Sequence, residues 1–440
     1  MAEPLLEPAG GVPDLIQTPQ ELAEAIKRIL AASGPIAIDA ERASGYKYSA
    51  RAYLIQIKRN GGGLHLIDPI AVGPTKYWAE LSEALASEEW IIHASTQDLA
   101  CLREIGIEPK LIFDTELAGR IAGCERVGLG PLTEQLLGVS LAKEHSAVDW
   151  SLRPLRPEWL NYAALDVELL IELRNEIEQL LIANGKLEWA KEDFAAILKT
   201  PPPEPRKEAW RRTSGIHKIR DLKSLAIIRS LWTARNEFAK EIDLAPGRVF
   251  NDETLLLIAT KPPKGFGDFK KALLRRTRLT DMPFEEWFQL FEAAQLLEGA
   301  DLPQLRLASE GLPPPKLWQS RNPLGYARLT HAKAAITECA IENSMPAENL
   351  ISPELVRRVC WQMPPESKEE RLKFVQDVLG GLGARTWQIE LVSPPLAAIL
   401  GETEPLLQEV QEVQEVLEVA IEPEPDGTSD QGSDATLRRT

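Results

Sequence analysis

The chain has 440 residues, 44% of them hydrophobic and 26% charged, with 50 Lys/Arg against 66 Asp/Glu and a formal net charge of -16. This composition excludes a disordered or fibrous chain, and because domains run to about 100–200 residues the length suits about two to four of them. An acidic total argues against whole-surface binding to nucleic acid, but the charge is uneven: residues 1–200 carry 19 basic and 30 acidic side chains, whereas 201–278 carry 18 basic and 9 acidic.

From Met1 to Ile16 the chain is acidic and proline-bearing, without the positive region and apolar run of a signal peptide. No stretch is long and apolar enough to span a bilayer. Cys101, Cys124, Cys339 and Cys360 are scattered with no C-x-x-C pair. The expectation is a cytoplasmic protein with reduced thiols, no membrane partner and no demand for an oligomer, hence a monomer.

Helical apolar spacing from Leu22 to Leu30 precedes short β-prone runs at Ile36-Ala-Ile38, Tyr53-Leu-Ile-Gln-Ile57, Leu64-His-Leu-Ile67, Trp90-Ile-Ile92 and Ile112-Phe113. Asn60-Gly-Gly-Gly63 predicts a hairpin turn between the second and third runs. Three antiparallel strands followed by parallel ones separated by helices make a mixed α/β sheet. Pro157, suited to a first helical turn, opens a further helix. Proline-rich breaks at 200–206 and 311–316 read as linkers. Past Pro205 the pattern is helical throughout, and beyond about residue 400 the Gln-Glu-Val repeats and Glu-Pro runs predict an acidic disordered tail over 401–440.

Certain carboxylates stand out. Asp39 and Glu41, one residue apart at the end of the first strand, point to one side of an extended backbone. Asp98 falls early in the helix after Trp90-Ile-Ile-His93, and Tyr162 and Asp166 are i, i+4 neighbours on the helix opened by Pro157. Four acids meeting at one sheet edge repel one another unless a cation neutralises them. Mg²⁺ or Mn²⁺ suits oxygen ligands, and two such ions ~4 Å apart can activate water and stabilise a leaving oxygen in phosphodiester displacement. Tyr162 beside them is placed to orient or deprotonate that water. Singly, each signal has a bland reading: Asp-x-Glu as a cap or loop motif, Tyr-x-x-x-Asp as a surface pair.

Together the motifs Ile38-Asp-Ala-Glu41, His93-Ala-Ser-Thr-Gln-Asp98-Leu and Asn161-Tyr-Ala-Ala-Leu-Asp166-Val, with Ile112-Phe-Asp-Thr115 and Lys143-Glu-His-Ser-Ala-Val-Asp-Trp150-Ser-Leu-Arg-Pro-Leu155 between them, resemble the DEDDy exonucleases and among them the ribonuclease D family. The resemblance covers about residues 14–195. It implies an RNase H-like exonuclease domain (14–199) that removes nucleoside monophosphates 3′→5′, with two divalent cations held by Asp39, Glu41, Asp98 and Asp166, and Tyr162 positioning the water. It also implies an RNA substrate with a free 3′ end, tRNA precursors being the expected case. Lys143, Ser146, Arg153 and His93 are candidates for substrate contact, and Asp114 for a cap or a supporting role. Tyr46, Arg51 and Gln56 are weaker candidates for the substrate groove.

After a Pro/basic linker (200–215), residues 216–299 resemble an HRDC domain, on Ala234-Arg235, the Pro246-Gly247 turn and an N-capping Asn251 or Asp252. Its basic residues Lys218, Arg220, Lys270, Lys271, Arg275 and Arg276 are expected to track phosphates. Residues 316–399, with Arg357-Arg358, Trp361 and Trp387, resemble a second, HRDC-like domain in the form associated with actinobacterial members, and both tryptophans are expected in its core. The other readings are a related exonuclease acting mainly on DNA and an inactive RNA-binding scaffold. The presence of every acid and the tyrosine weighs against the scaffold.

Overall fold

The computed structural model describes residues 2–141, 148–201, 204, 206–275, 277, 279–307 and 311–402. Two compact units divide the chain, one of residues 1–308 with 343–349 and one of 309–342 with 350–440.

The first unit is built on strands β1 (Glu3–Leu5), β2 (Leu15–Ile16), β3 (Ile36–Arg42), β4 (Ala52–Arg59), β5 (Gly63–Ile67), β6 (Glu89–Ile92), β7 (Leu111–Asp114) and β8 (Val139–Leu141). Six of them form a sheet in the order β2-β5-β4-β3-β6-β7. β3, β4 and β5 run antiparallel, and β6 and β7 join parallel, as the sequence predicts. The β4–β5 hairpin turns on Gly61 and Gly63, whose φ values of 78° and 88° suit a residue without a side chain. Ahead of β3, the helix Pro19–Leu30 starts on a reciprocal cap, with Thr18 and Glu21 each accepting from the other's main chain.

The sequence reading assigns no element to the N-terminal segment, yet Glu3–Leu5 pairs in parallel with β8. The same segment reaches the helix Pro157–Glu168: the Asn161 amide donates to the Leu6 carbonyl at 2.8 Å, and the Ala9 N–H donates to Glu168 at 3.1 Å. Nothing local favours a strand there, so the pairing is imposed by distant partners.

That helix, Pro157–Glu168, packs across β3, β4 and β5. Trp159, Ala163 and Ala164 on the helix bury against Leu54, Leu66, Tyr53 and Trp150. Trp150 and Trp159 meet edge to face at 5.7 Å, an arrangement worth about 0.5–1.5 kcal/mol beyond area burial. At the far end of the helix Glu168 pairs with Lys58 of β4 at 3.1 Å.

Beyond residue 206 every regular element among the described residues is helical. In the first unit the helices Leu222–Glu241, Asp252–Thr260, Phe266–Leu274 and Phe284–Leu296 close around Val249, Phe250, Phe269, Trp287 and Phe291. Asn251 caps its helix by accepting from the Thr254 N–H at 2.9 Å. Buried Arg235 spans the core to the Phe250 carbonyl and Asp252. The second unit contains the helices Pro323–Glu342, Pro353–Trp361, Lys368–Gly381 and Thr386–Gly401. Trp387 is buried as expected, whereas Trp361 is half-buried and packs its ring on buried Trp318 at 4.8 Å. The tail from 403 onward lies outside the described residues.

Candidate active site

Asp39 and Glu41 project from the end of β3, Asp98 opens the helix Asp98–Glu104, and Tyr162 and Asp166 lie on the helix that crosses the sheet. All five line one cavity of about 250 Å³, together with Arg42, His93, Gln97, Leu129 and Leu170. Carboxylate oxygens of Asp39, Glu41 and Asp166 lie within 4.8 Å of one another. The Tyr162 hydroxyl hydrogen-bonds the Asp166 carboxylate, as their i, i+4 spacing allows.

The electrostatics follow from this crowding. Burial pushes Glu41 up to about 10, and the neighbouring Asp39, Asp166 and Asp98 add to the shift. Burial raises Asp98 to about 8, with Asp39 adding to it. Asp39 and Asp166 are raised for the same first reason, loss of hydration. Burial also raises Tyr162, and the carboxylate of Asp166 beside it acts in the same direction. Arg42 opposes the shift at Asp39, Glu41 and Asp98.

Three close carboxylates with a fourth on the same cavity wall form a hard-oxygen donor set with surplus negative charge, which fits a divalent cation and fits no soft metal. A second observation agrees. Gln56, fully buried and opposite Asp39 in the β3–β4 register, has neither its Nε2 nor its Oε1 hydrogen-bonded.

Asp114 shapes the wall that carries His93 and Asp98. At the N-cap of the helix Thr115–Ala122 it accepts from the Glu116 and Leu117 N–H groups, and it also accepts from the Ala94 N–H, the Ser95 N–H and the Ser95 hydroxyl. These bonds hold Ala94 at φ 59°, a left-handed conformation that costs a residue with a Cβ about 1–2 kcal/mol. The cap or supporting role expected of Asp114 is the one its contacts describe. His93 hydrogen-bonds Thr115 through Nδ1 at 2.9 Å, and burial lowers its pKa.

Arg153 is placed elsewhere. Its guanidinium is bidentate on buried Asp68, at 2.6 and 2.8 Å, and its other bonds go to the carbonyls of Tyr53, Trp150 and Leu152. This arrangement clamps the segment before the Tyr162 helix to the sheet and keeps Arg153 out of the cavity lining, so the expected substrate contact is replaced by a structural one. Lys143 and Ser146 lie outside the described residues. Among the weaker groove candidates, Gln56 is buried, while Tyr46 and Arg51 meet the helical module. Arg248 stacks on Tyr46 at 4.0 Å, and Asp243 pairs with Arg51 at 3.0 Å and accepts from the Ser49 N–H at 2.8 Å.

Of the basic residues, Lys218, Arg220, Lys271 and Arg275 are exposed. Lys270 is half-buried, its ammonium 4.7 Å from the Phe284 ring centre, and Arg276 lies outside the described residues.

The sequence reading missed Arg42 and Gln97. In a regular strand Arg42 would face away from Glu41, but the β3–β4 register slips between them, so that Glu41 pairs with Leu54 and Arg42 with Ala52. A bulge of this kind re-aims side chains. The Arg42 Nη2 donates to Gln97 Oε1 at 2.5 Å, and both residues line the cavity. Gln97 stands next to Asp98 inside a quoted motif; Arg42 left no comparable signal.

Comparisons with known proteins agree with this layout. The family described as 3'-5' exonuclease matches residues 13–182, the HRDC domain family 224–289, and the family described as 3' to 5' exonuclease C-terminal domain 311–400. The chain is 27% identical to "Ribonuclease D" of Shewanella sp. over 83% of its own length and 88% of that protein's. Against "Ribonuclease D" of Bartonella henselae it is 29% identical, the match spanning 41% of this chain and 45% of that one. Among solved structures, a protein from Bifidobacterium adolescentis is 34% identical with a TM-score of 0.83, covering 91% of this chain and all of that one. Escherichia coli RNase D, described as an exoribonuclease involved in structured RNA processing, is 25% identical with a TM-score of 0.59, covering 84% of this chain and 98% of that one.

Proposed function

The chain belongs to the ribonuclease D family and is a 3′-5′ exoribonuclease, and from that premise we propose that it hydrolyses the terminal phosphodiester of RNA in the cavity between β3 and the helix Pro157–Glu168. The observation that carries the assignment is the convergence of Asp39, Glu41 and Asp166 oxygens within 4.8 Å, in a cavity lined also by Asp98 and Tyr162.

In this reading the four acids hold two divalent cations, Mg²⁺ or Mn²⁺. The chemistry such ions supply when bound is activation of water and stabilisation of the leaving 3′ oxygen. The remaining work falls to the protein. Tyr162, fixed by its bond to Asp166, presents its hydroxyl to orient the attacking water. His93 and Leu129 wall the cavity that receives the terminal nucleotide. Arg42, held by Gln97, is the cation of the cavity among the described residues and takes a substrate phosphate. Asp114 keeps the turn between β6 and Asp98 in its left-handed form, and Arg153 fixes the approach to the Tyr162 helix.

The substrate we assign is structured RNA with a free 3′ end, tRNA precursors among them. The exposed Lys218, Arg220, Lys271 and Arg275 track its backbone, with Lys270 beside them. Arg276 is included on charge alone. Reversing Lys270, Lys271 and Arg275 to Glu should weaken RNA affinity and flatten its salt dependence, with hydrolysis of very short oligonucleotides kept. Affinity unchanged in a binding titration would remove these residues from the mechanism.

The test of the function is incubation of 3′-labelled RNA with Mg²⁺ or Mn²⁺, comparing wild type with Asp166→Asn and RNA with DNA of the same sequence. Release of mononucleotides by wild type alone, faster from RNA, is the expected result. Full activity in Asp166→Asn would break the site assignment, and faster release from DNA would reverse the substrate.

A further inference from the structure

Gln56 is an anomaly in the sheet: both polar atoms of its uncharged amide are left over. It sits mid-way along β4, a central strand, and is 0% exposed, yet neither atom of its amide has a hydrogen-bond partner. Buried side-chain amides almost always find partners, and an orphan marks a missing water or ion, a strain reservoir or a functional group.

The register defines its surroundings. Residues directly opposite on neighbouring strands share a face, as do i and i±2 along one strand. Across from Gln56 stand Asp39 of β3 and Leu66 of β5. Along its own strand come Leu54 and Lys58. Leu54 and Leu66 are apolar and fully buried. Lys58 is taken by the carboxylate and carbonyl of Glu168. Of the four neighbours only Asp39 remains to explain a polar side chain here. The helix carrying Tyr162 and Asp166 packs over these strands, which helps keep bulk water from the amide.

We propose that Gln56 is a positioning residue for the cation site: its amide nitrogen donates to the Asp39 carboxylate, or to a water bound beside it, once that carboxylate holds a divalent ion. The inference rests on the metal-dependent reading above. Its logic is that of the outer partners that orient ligating carboxylates, whose loss typically weakens metal binding by about 10- to 100-fold. It also accounts for a buried amide without a bond: the group is kept for the loaded state at the expense of the empty one.

This makes the inference separable from a packing role. Gln56→Met keeps the length and volume of the side chain and removes the unsatisfied polar atoms. In chelator its Tm should equal or exceed that of wild type. Titrated with Mn²⁺ alone and followed by calorimetry, the variant should bind about 10- to 100-fold more weakly, and its nuclease activity should recover as Mn²⁺ is raised. Gln56→Asn, which shortens the amide by one methylene, should fall short of wild-type Mn²⁺ affinity as well. A lower Tm for Gln56→Met in chelator would mean that the amide already has a partner within the protein, and would overturn the inference whatever the affinity. Unchanged Mn²⁺ affinity in Gln56→Met would overturn it too. Wild type that binds Mn²⁺ but releases no nucleotide would remove the proposed function and leave this comparison intact.

Discussion

Two acidic places in the first unit are built on opposite terms. At the seam between the β3–β4 region and the helical module, Asp243 is answered on every side: it accepts from the Ser49 N–H, pairs with Arg51 and accepts from the Tyr53 hydroxyl. Burial by itself would raise its pKa, but the Ser49 hydrogen bonds and the Arg51 and Lys47 charges outweigh it and hold the carboxyl below its ordinary value. In the cavity all four acids are raised, and among the described residues the one opposing guanidinium, Arg42, acts on Asp39, Glu41 and Asp98 but not on Asp166. A carboxylate that serves the fold is given its partners by the fold. The cavity leaves its acids short of positive charge, and a ligand has to supply the difference.

The sharpest way to break this contrast is Asp166→Asn. It should lower nucleotide release by about a thousandfold or more, since it removes several kcal/mol of transition-state stabilisation. In chelator the same variant should melt higher than wild type, because one of the mutually repelling acids is gone. A lower Tm in a thermal scan would mean that the cavity is as well matched as the seam. Tyr162→Phe comes next, with kcat reduced by about a hundredfold and Mn²⁺ affinity unchanged by calorimetry.

Arg42→Gln should raise KM for RNA by about tenfold, the scale of a hydrogen bond to a charged group. The slope of log KM against log salt should flatten by about 0.7, one phosphate contact on a single strand. If KM and slope hold while metal binds more tightly, Arg42 merely offsets the acids. The smallest effect is at the seam. Asp243→Asn keeps a side chain that tolerates φ 47° and should cost about 1 kcal/mol in urea unfolding, with hydrolysis of short oligonucleotides unaltered. Because the folded pKa of Asp243 is lowered, its contribution is present above about pH 4, the ordinary carboxylate value, and is lost as pH falls through the folded pKa below it. The difference between wild type and Asp243→Asn should therefore shrink in acid; a constant gap would mean that the charge is irrelevant.

The five residues at the centre of the cavity were legible because each follows a local rule. Asp39 and Glu41 share a strand face by alternation, Tyr162 and Asp166 share a helix face by their spacing of four, and Asp98 opens a helix after a strand. The hairpin glycines and the caps at Thr18 and Asn251 are local in the same way. Arg153 shows where such reading stops: a guanidinium in a suggestive motif has no address until its partner is known, and that partner, Asp68, is 85 residues away. Arg42 was hidden because a slip in the β3–β4 register reverses the face that simple alternation assigns to it.

The sequence by itself determined the α/β and helical divisions, the acidic motif set and the basic stretch at 201–278, because periodicity, capping and composition act over a few residues. The tertiary structure decided which charges are spent and which are left over. Asp243, Asp68 and Glu168 find partners through contacts closed across many residues, while among the described residues the cavity acids find no counter-charge beyond Arg42 and the Gln56 amide finds no hydrogen bond. Whether a buried polar group is satisfied depends on what the rest of the chain brings to it, and no window of sequence contains that information.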